Sequence, residues 1–151
     1  MESKNSIRNI YDYIGNFHNG FAIVLLKRLL VKGVFKDKYG FIDENGKEIT
    51  LIKYDHVFEF ENNFALVKLD GKWGLINKKG EEITPLKYDD AWNFHNGLAR
   101  VKLNGKYGFI NENGQEIITI KYDDAWDFQN GFSKVLLNDM WFTINEKGEE
   151  L

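Results

Sequence analysis

Cysteine is absent from the 151-residue chain, and proline occurs once, at Pro85. Without thiols there is no disulfide scaffold, no thiolate metal site and no cysteine nucleophile. No apolar run approaches the roughly 18 residues that a membrane-spanning helix needs. The start, MESKNSIRNIYDYIG, lacks the apolar stretch of a secretory signal. An excess of positive charge is missing too: the net charge is −3 and the pI near 5.6, which disfavours a phosphate-binding surface. Neither GxGxxG nor GxxxxGKS/T occurs, and no nucleophile elbow is found. These absences predict a cytoplasmic protein with no cofactor, no bound metal, no nucleic-acid partner and no membrane partner. What the chain does hold is 43% hydrophobic and 15% aromatic residues, enough for a packed core at the length of one domain.

Those residues recur. Gly40, Gly74 and Gly108 lie 34 residues apart, each behind an aromatic residue (Tyr39, Trp73, Tyr107), and Trp141-Phe142 continues the series without the glycine. Tyr54, Tyr88 and Tyr122 repeat in the same phase, each between Lys and Asp. KYDDAWNFHNG (87–97) and KYDDAWDFQNG (121–131) differ at two positions, and a worn copy, YDYIGNFHNGFA, starts at Tyr11. The first copy carries nine extra residues, because Phe64 to Trp73 is 9 positions and Phe21 to Tyr39 is 18. The chain thus divides into a lead-in, 1–10, and one repeat domain, 11–151, with repeats at about 11–53, 54–87, 88–121 and 122–151.

The third copy illustrates one repeat. Leu98–Leu103 alternates and reads as a strand, Asn104-Gly105 as a two-residue type I′ turn, and Lys106–Ile110 as the return strand. Asn111…Gly114 suits a type I turn closed by a left-handed glycine, as do Asp43…Gly46, Asn77…Gly80 and Asn145…Gly148. A third strand, Glu116–Ile120, completes a three-stranded antiparallel meander, and the link 122–131 leads onward. Across the hairpin, Val101 should face Gly108 and Ala99 should face Ile110, an apolar packing side. Arg100, Lys102, Tyr107 and Phe109 take the other side. Asn63 aligns with Gly20, Gly97 and Gly131, which predicts a positive φ there.

The string GKWGLINKKGEEITPLKYDDAWNFHNGLARVK resembles the bacterial WG-repeat (KWG-repeat) family: the aromatic-Gly pairs, the turn glycines, the Lys-Tyr-Asp triplets and the Phe-x-Asn-Gly links all match, over residues 11–151. The resemblance implies a β-rich repeat domain that mediates binding, without shared catalytic residues. Taken with the periodicity, the expected fold is all-β: four stacked mini-sheets in an open array, with a closed, propeller-like ring as the alternative.

Candidate sites are weighed against the repeat. Tyr39, Trp73, Tyr107 and Trp141 form one aromatic row, Phe58, Trp92 and Trp126 a second, and Phe17, Phe60, Phe94 and Phe128 a third. All are expected to be packing between repeats, so that Trp92→Ala or Trp126→Ala should cost about 3–5 kcal/mol. A cation cage or a sugar platform is the competing reading. Asp89-Asp90 and Asp123-Asp124 are paired acids, yet they recur with the repeat. The first of each pair should cap its own turn, and the second, Asp90 or Asp124, is left for a partner. His18 and His95 share a phase with Gln129, which is unlike a metal or catalytic histidine. The insertion, 22–35, is the most individual feature. Ile23, Leu25, Leu26, Leu29 and Leu30 form either a lid over the first repeat or an interaction edge. With Trp92, Asp90, Trp126 and Asp124 they are the candidate partner-binding residues. The expected function is a non-enzymatic protein-interaction module, such as an inhibitor or immunity-type partner. A small-ligand or cell-wall-binding module is the alternative, and an enzyme the remote one.

Overall fold

The computed structural model describes residues 10–151, so the expected lead-in lies outside the described residues apart from Ile10. Thirteen strands and no helix are found there: β1 (Tyr13–Ile14), β2 (Phe21–Val31), β3 (Val34–Asp43), β4 (His56–Val57), β5 (Phe64–Leu69), β6 (Lys72–Asn77), β7 (Asp90–His95), β8 (Leu98–Leu103), β9 (Lys106–Asn111), β10 (Glu116–Tyr122), β11 (Asp124–Ala125), β12 (Phe132–Leu137) and β13 (Met140–Asn145). They form four antiparallel sheets, ordered β1-β2-β3, β4-β5-β6, β10-β9-β8-β7 and β11-β12-β13. No sheet closes into a barrel, and the four tandem repeats fit the expected open all-β array. Contacts group the described residues into two compact bodies, 10–70 with 76–82 and 71–75 with 83–151, the division passing through β6. No helix among the described residues is long and apolar enough to cross a membrane.

Turn chemistry sets the hairpins. Asn104-Gly105 and Lys32-Gly33 hold positive φ at both central positions, the condition for a type I′ turn whose twist matches the strands. Register follows: Val101 faces Gly108 and Ala99 faces Ile110, and Ala99, Val101 and Ile110 are fully buried. The type I turns also form as expected, with Gly80 N–H bonding Asn77 C=O at 2.9 Å and Asn77 Oδ1 accepting Lys79 and Glu81 N–H.

Those turns stack repeat upon repeat. A Cβ on Gly80 would lie 1.7 Å from the carbonyl oxygen of Ile49 in the previous repeat, and one on Gly114 would lie 1.9 Å from that of Ile83. Glycine is therefore needed twice at each site, for its φ near +77° and for the close backbone approach.

The meander differs from expectation in its third strand. In repeats one, two and four the third member of the sheet is the short link strand (β1, β4, β11), which precedes the hairpin. The segment after the type I turn makes only isolated bridges, Ile42–Glu48, Ile76–Glu82 and Ile144–Glu150. The third repeat alone extends that segment into a strand, β10, at the edge of the sheet opposite a longer link strand, β7. Local chemistry accounts for the difference in repeats one and two. Thr50 Oγ1 accepts the Phe41 N–H at 3.1 Å, taking a donor that a ladder would use, and Pro85 has no N–H to offer. In the third repeat Ile117-Ile118-Thr119-Ile120 has neither obstacle, and Ile118 pairs with Phe109. A second correction concerns Asn63: the positive φ falls on Asn62 (55°), in phase with Asn19, Asn96 and Asn130.

Candidate functional site

The acidic pairs come first, because they are the residues most able to do chemistry. Asp55 Oδ2 accepts the N–H of Asp70 at 2.7 Å, Asp89 Oδ2 that of Asn104 at 2.6 Å, and Asp123 Oδ2 that of Asn138 at 3.1 Å. Asp12 does the same for Lys27 at 2.6 Å. The other oxygen meets a lysine from the preceding repeat: Lys38 with Asp55, Lys72 with Asp89, Lys106 with Asp123. The expected cap on the aspartate's own turn is thus replaced by a bolt. It ties the hairpin 15 residues onward to the lysine 17 residues back. The link strand runs beside the hairpin, so the nearest unpaired N–H lies across the sheet rather than along the chain. Local capping falls instead to the second acids, where Asp90 Oδ1 accepts Ala91 N–H at 3.0 Å and Asp124 Oδ1 accepts Ala125 N–H at 2.8 Å.

Electrostatics agrees with structural work. Burial pushes the Asp55 carboxyl upward, but the Lys38 ammonium and the Asp70 N–H outweigh it and leave the pKa below the ordinary value. Lys72 first, then the Asn104 N–H, lowers Asp89, and Lys106 with the Asn138 N–H lowers Asp123. All three are held ionised, the wrong state for a general acid. The tyrosines immediately before Asp12, Asp55 and Asp89 show the opposite shift. Tyr54 is raised by burial and then by the hydrogen bond it donates to Glu82 at 2.9 Å. Tyr11 is raised likewise, with Glu48 at 2.7 Å. His18 lies 3.5 Å from Glu59 and His95 3.9 Å from Asp127. Among the described residues no group of three or more acids and histidines could hold a metal ion.

The aromatic rows divide. Of the Phe17, Phe60, Phe94 and Phe128 row, two members are core as expected: Phe60 stands 5.0 Å from Phe41, and Phe128 stands 4.8 Å from Phe109, edge to face, whereas Phe94 is half-buried and Phe17 exposed. In the second body Phe128 and Phe109 pack with Ile118, Tyr122, Val135 and Ile144. The other two rows are only partly the expected packing layer: Tyr107 lies against that cluster and Tyr39, Trp73 and Trp92 are half-buried, whereas Phe58, Trp126 and Trp141 are exposed. Trp126 is 55% and Trp141 48% exposed. Their rings stand 5.8 Å apart at 60°, with the Lys134 ammonium 5.3 Å from the Trp126 ring. One repeat earlier, Trp92 and Tyr107 pair at 5.8 Å, and the Arg100 guanidinium covers Trp92 at 4.1 Å. Strand parity explains the outward turn: Ala91 and Ala125 point into the core, so their neighbours Trp92 and Trp126 point away. The large buried side chains are instead Tyr54 and Tyr88, residues that the period marks as equivalent without marking as core.

Arg100 also donates to the carbonyl of Ala125 and pairs with Asp127 at 3.1 Å. Together with Trp126, Lys134, Gln129 and Thr143 this pair lines a shallow groove of about 480 Å³ in the second body. Sequence reasoning missed Asp127 because Asn93 and Glu59 hold its repeat position.

On the insertion, Leu25 is buried, and Leu26 packs on the cluster of Tyr11, Ala22, Val24 and Ile42. Ile23 is half-buried beside Tyr13, Tyr39 and His56. Leu29 is half-buried and Leu30 exposed. The segment is a hairpin arm rather than a lid. Beyond Leu26 only β2 and β3 continue, and the arm also exposes Val34 and Phe35, which the sequence reading left aside.

A family model described as a WG containing repeat matches residues 10–27, 39–73, 73–107 and 107–141, its full-length matches starting on Tyr39, Trp73 and Tyr107. No curated protein matches the chain.

Proposed function

The chain belongs to the WG-repeat family, and from that membership we propose that it is a non-enzymatic protein-interaction module. The supporting observation is the half-exposed Trp126–Trp141 dyad. It recurs in phase with the Trp92–Tyr107 pair at the same 5.8 Å separation, and the exposed Phe132 lines the same groove as Trp126. Large aromatics left half in water, beside cations, are the side chains that dominate protein interfaces. The acids that could have served catalysis are spent on backbone caps and lysine bolts. Small cationic ligands are disfavoured because Lys134 and Arg100 already lie over the indole faces. The acidic net charge suits an inhibitor or immunity-type partner of a basic enzyme, acting in the cytoplasm.

The test is paired. Wild-type protein and the Trp126→Ala/Trp141→Ala variant are used to capture partners from the native host, and the captured protein is then purified and titrated calorimetrically. A partner held by the wild type and weakened at least about tenfold by the variant, both folded by near-UV circular dichroism, supports the module. Equal binding by the variant removes the dyad from the interface.

A further inference from the structure

The family match stops at Lys27 and resumes at Tyr39, and the residues it skips form the outer part of the first hairpin. Past a bulge at Arg28, whose φ is 54°, β2 and β3 continue as a two-stranded ribbon closed by Lys32-Gly33. Leu30 pairs with Phe35, while Leu29 with Lys36 and Val31 with Val34 flank them on the opposite side. The ribbon is thus apolar on both faces. Leu30 is 66%, Phe35 63% and Val34 56% exposed. Two strands alone are marginally stable in water, so this apolar surface is useful only against something that covers it.

Charge narrows what that is. Lys27, Arg28, Lys32 and Lys36 outnumber Asp37 by three, in a chain whose total is −3, so the rest of the molecule carries −6. Asp37 is engaged across the hairpin, its Oδ1 accepting the Arg28 N–H at 3.0 Å. We propose that this arm docks on an anionic lipid surface, with Leu30, Val34 and Phe35 in the interfacial layer and the four cations on lipid phosphates. An interfacial layer surrounds an inserted ribbon and covers both of its faces, whereas a groove on an acidic protein covers one. The flexible stem of Lys32, at the tip, carries its ammonium back to the phosphate level. Each cation near an anionic bilayer strengthens binding about fivefold. The sequence-based expectation of no membrane partner rests on spanning runs and export signals, which do not bear on a surface hairpin. This inference goes beyond the interaction module and stands or falls without it.

The purified chain is sedimented with vesicles of phosphatidylcholine alone and of phosphatidylcholine mixed with phosphatidylglycerol. Binding is expected to the mixed vesicles only. Lys32→Glu/Lys36→Glu should lower it about tenfold or more, and Leu30→Ser/Phe35→Ser should abolish it. Both variants change exposed positions, and near-UV circular dichroism checks their fold. Phe35→Trp should shift its fluorescence to the blue with the mixed vesicles alone. No binding to either vesicle overturns the proposal, as does equal binding to both or indifference to the apolar pair. Retention on immobilised polyglutamate without a blue shift on vesicles also overturns it, in favour of an acidic protein.

Discussion

Gly80 and Gly105 both sit at positive φ, yet only Gly80 faces the backbone of a neighbouring repeat. A left-handed non-glycine residue costs about 1–3 kcal/mol, and Gly105→Ala should cost no more than that. Gly80→Ala adds a clash that only a shift of Ile49 can relieve, so urea denaturation should show at least about twice the loss. Asp55 supplies a prediction in pH. Its folded pKa is below the ordinary value, so its stabilisation is present above the usual carboxylate range and disappears as pH falls through the folded value. As pH falls from about 7 through the usual carboxylate range and below it, the Tm gap between wild type and Asp55→Asn should narrow. A gap that held constant would mean that the Lys38 bolt contributes nothing. Neither residue's partner was legible in the chain order. The period showed that Gly80 and Asp55 matter in every repeat. The contact each makes, with Ile49 or with the 69–71 turn, depends on which backbone lies across the sheet.

Within an element, alternation says that two faces differ, not which one meets the core. In β7, Ala91 is buried while Trp92 lies under Arg100. The Tyr88 ring, in the link just before, is almost fully buried. Deleting a core aromatic costs about 3–5 kcal/mol, whereas trimming a half-exposed side chain usually costs under about 1 kcal/mol. Tyr88→Ala should therefore destabilise far more than Trp126→Ala, reversing the order that tryptophan's size alone suggests. Thermal denaturation of the two variants decides it, and equal losses would return Trp126 to the core. Strand lengths follow the same logic. The hairpins were readable from Asn104-Gly105 and its equivalents because a type I′ turn is a local property. That β10 forms while its counterparts in repeats one and two do not turned on Thr50 and Pro85, one a competing acceptor and the other a missing donor.

For the whole molecule, the repeat makes long-range order out of short-range bonds. The Asp–Lys bolts bridge 17 residues, their turn caps 15, and Tyr54–Glu82 28. Such spans are short for an all-β chain, whose folding is slow when distant strands must meet. The main refolding phase should fall in the range of about milliseconds to tens of milliseconds. Stopped-flow tryptophan fluorescence reads it, and a main phase slower than about a second would contradict the repeat-by-repeat picture. The 34-residue phase, the turns and the all-β class were all written in the order of residues, since turn geometry and periodicity depend on neighbours along the chain. Folding in space settled which aromatic rows are dry, which N–H groups the aspartates hold and where the arm goes. Burial and hydrogen bonding are properties of surfaces brought together, and equivalent positions in a repeat become core or surface only when the adjoining strand covers one face of them.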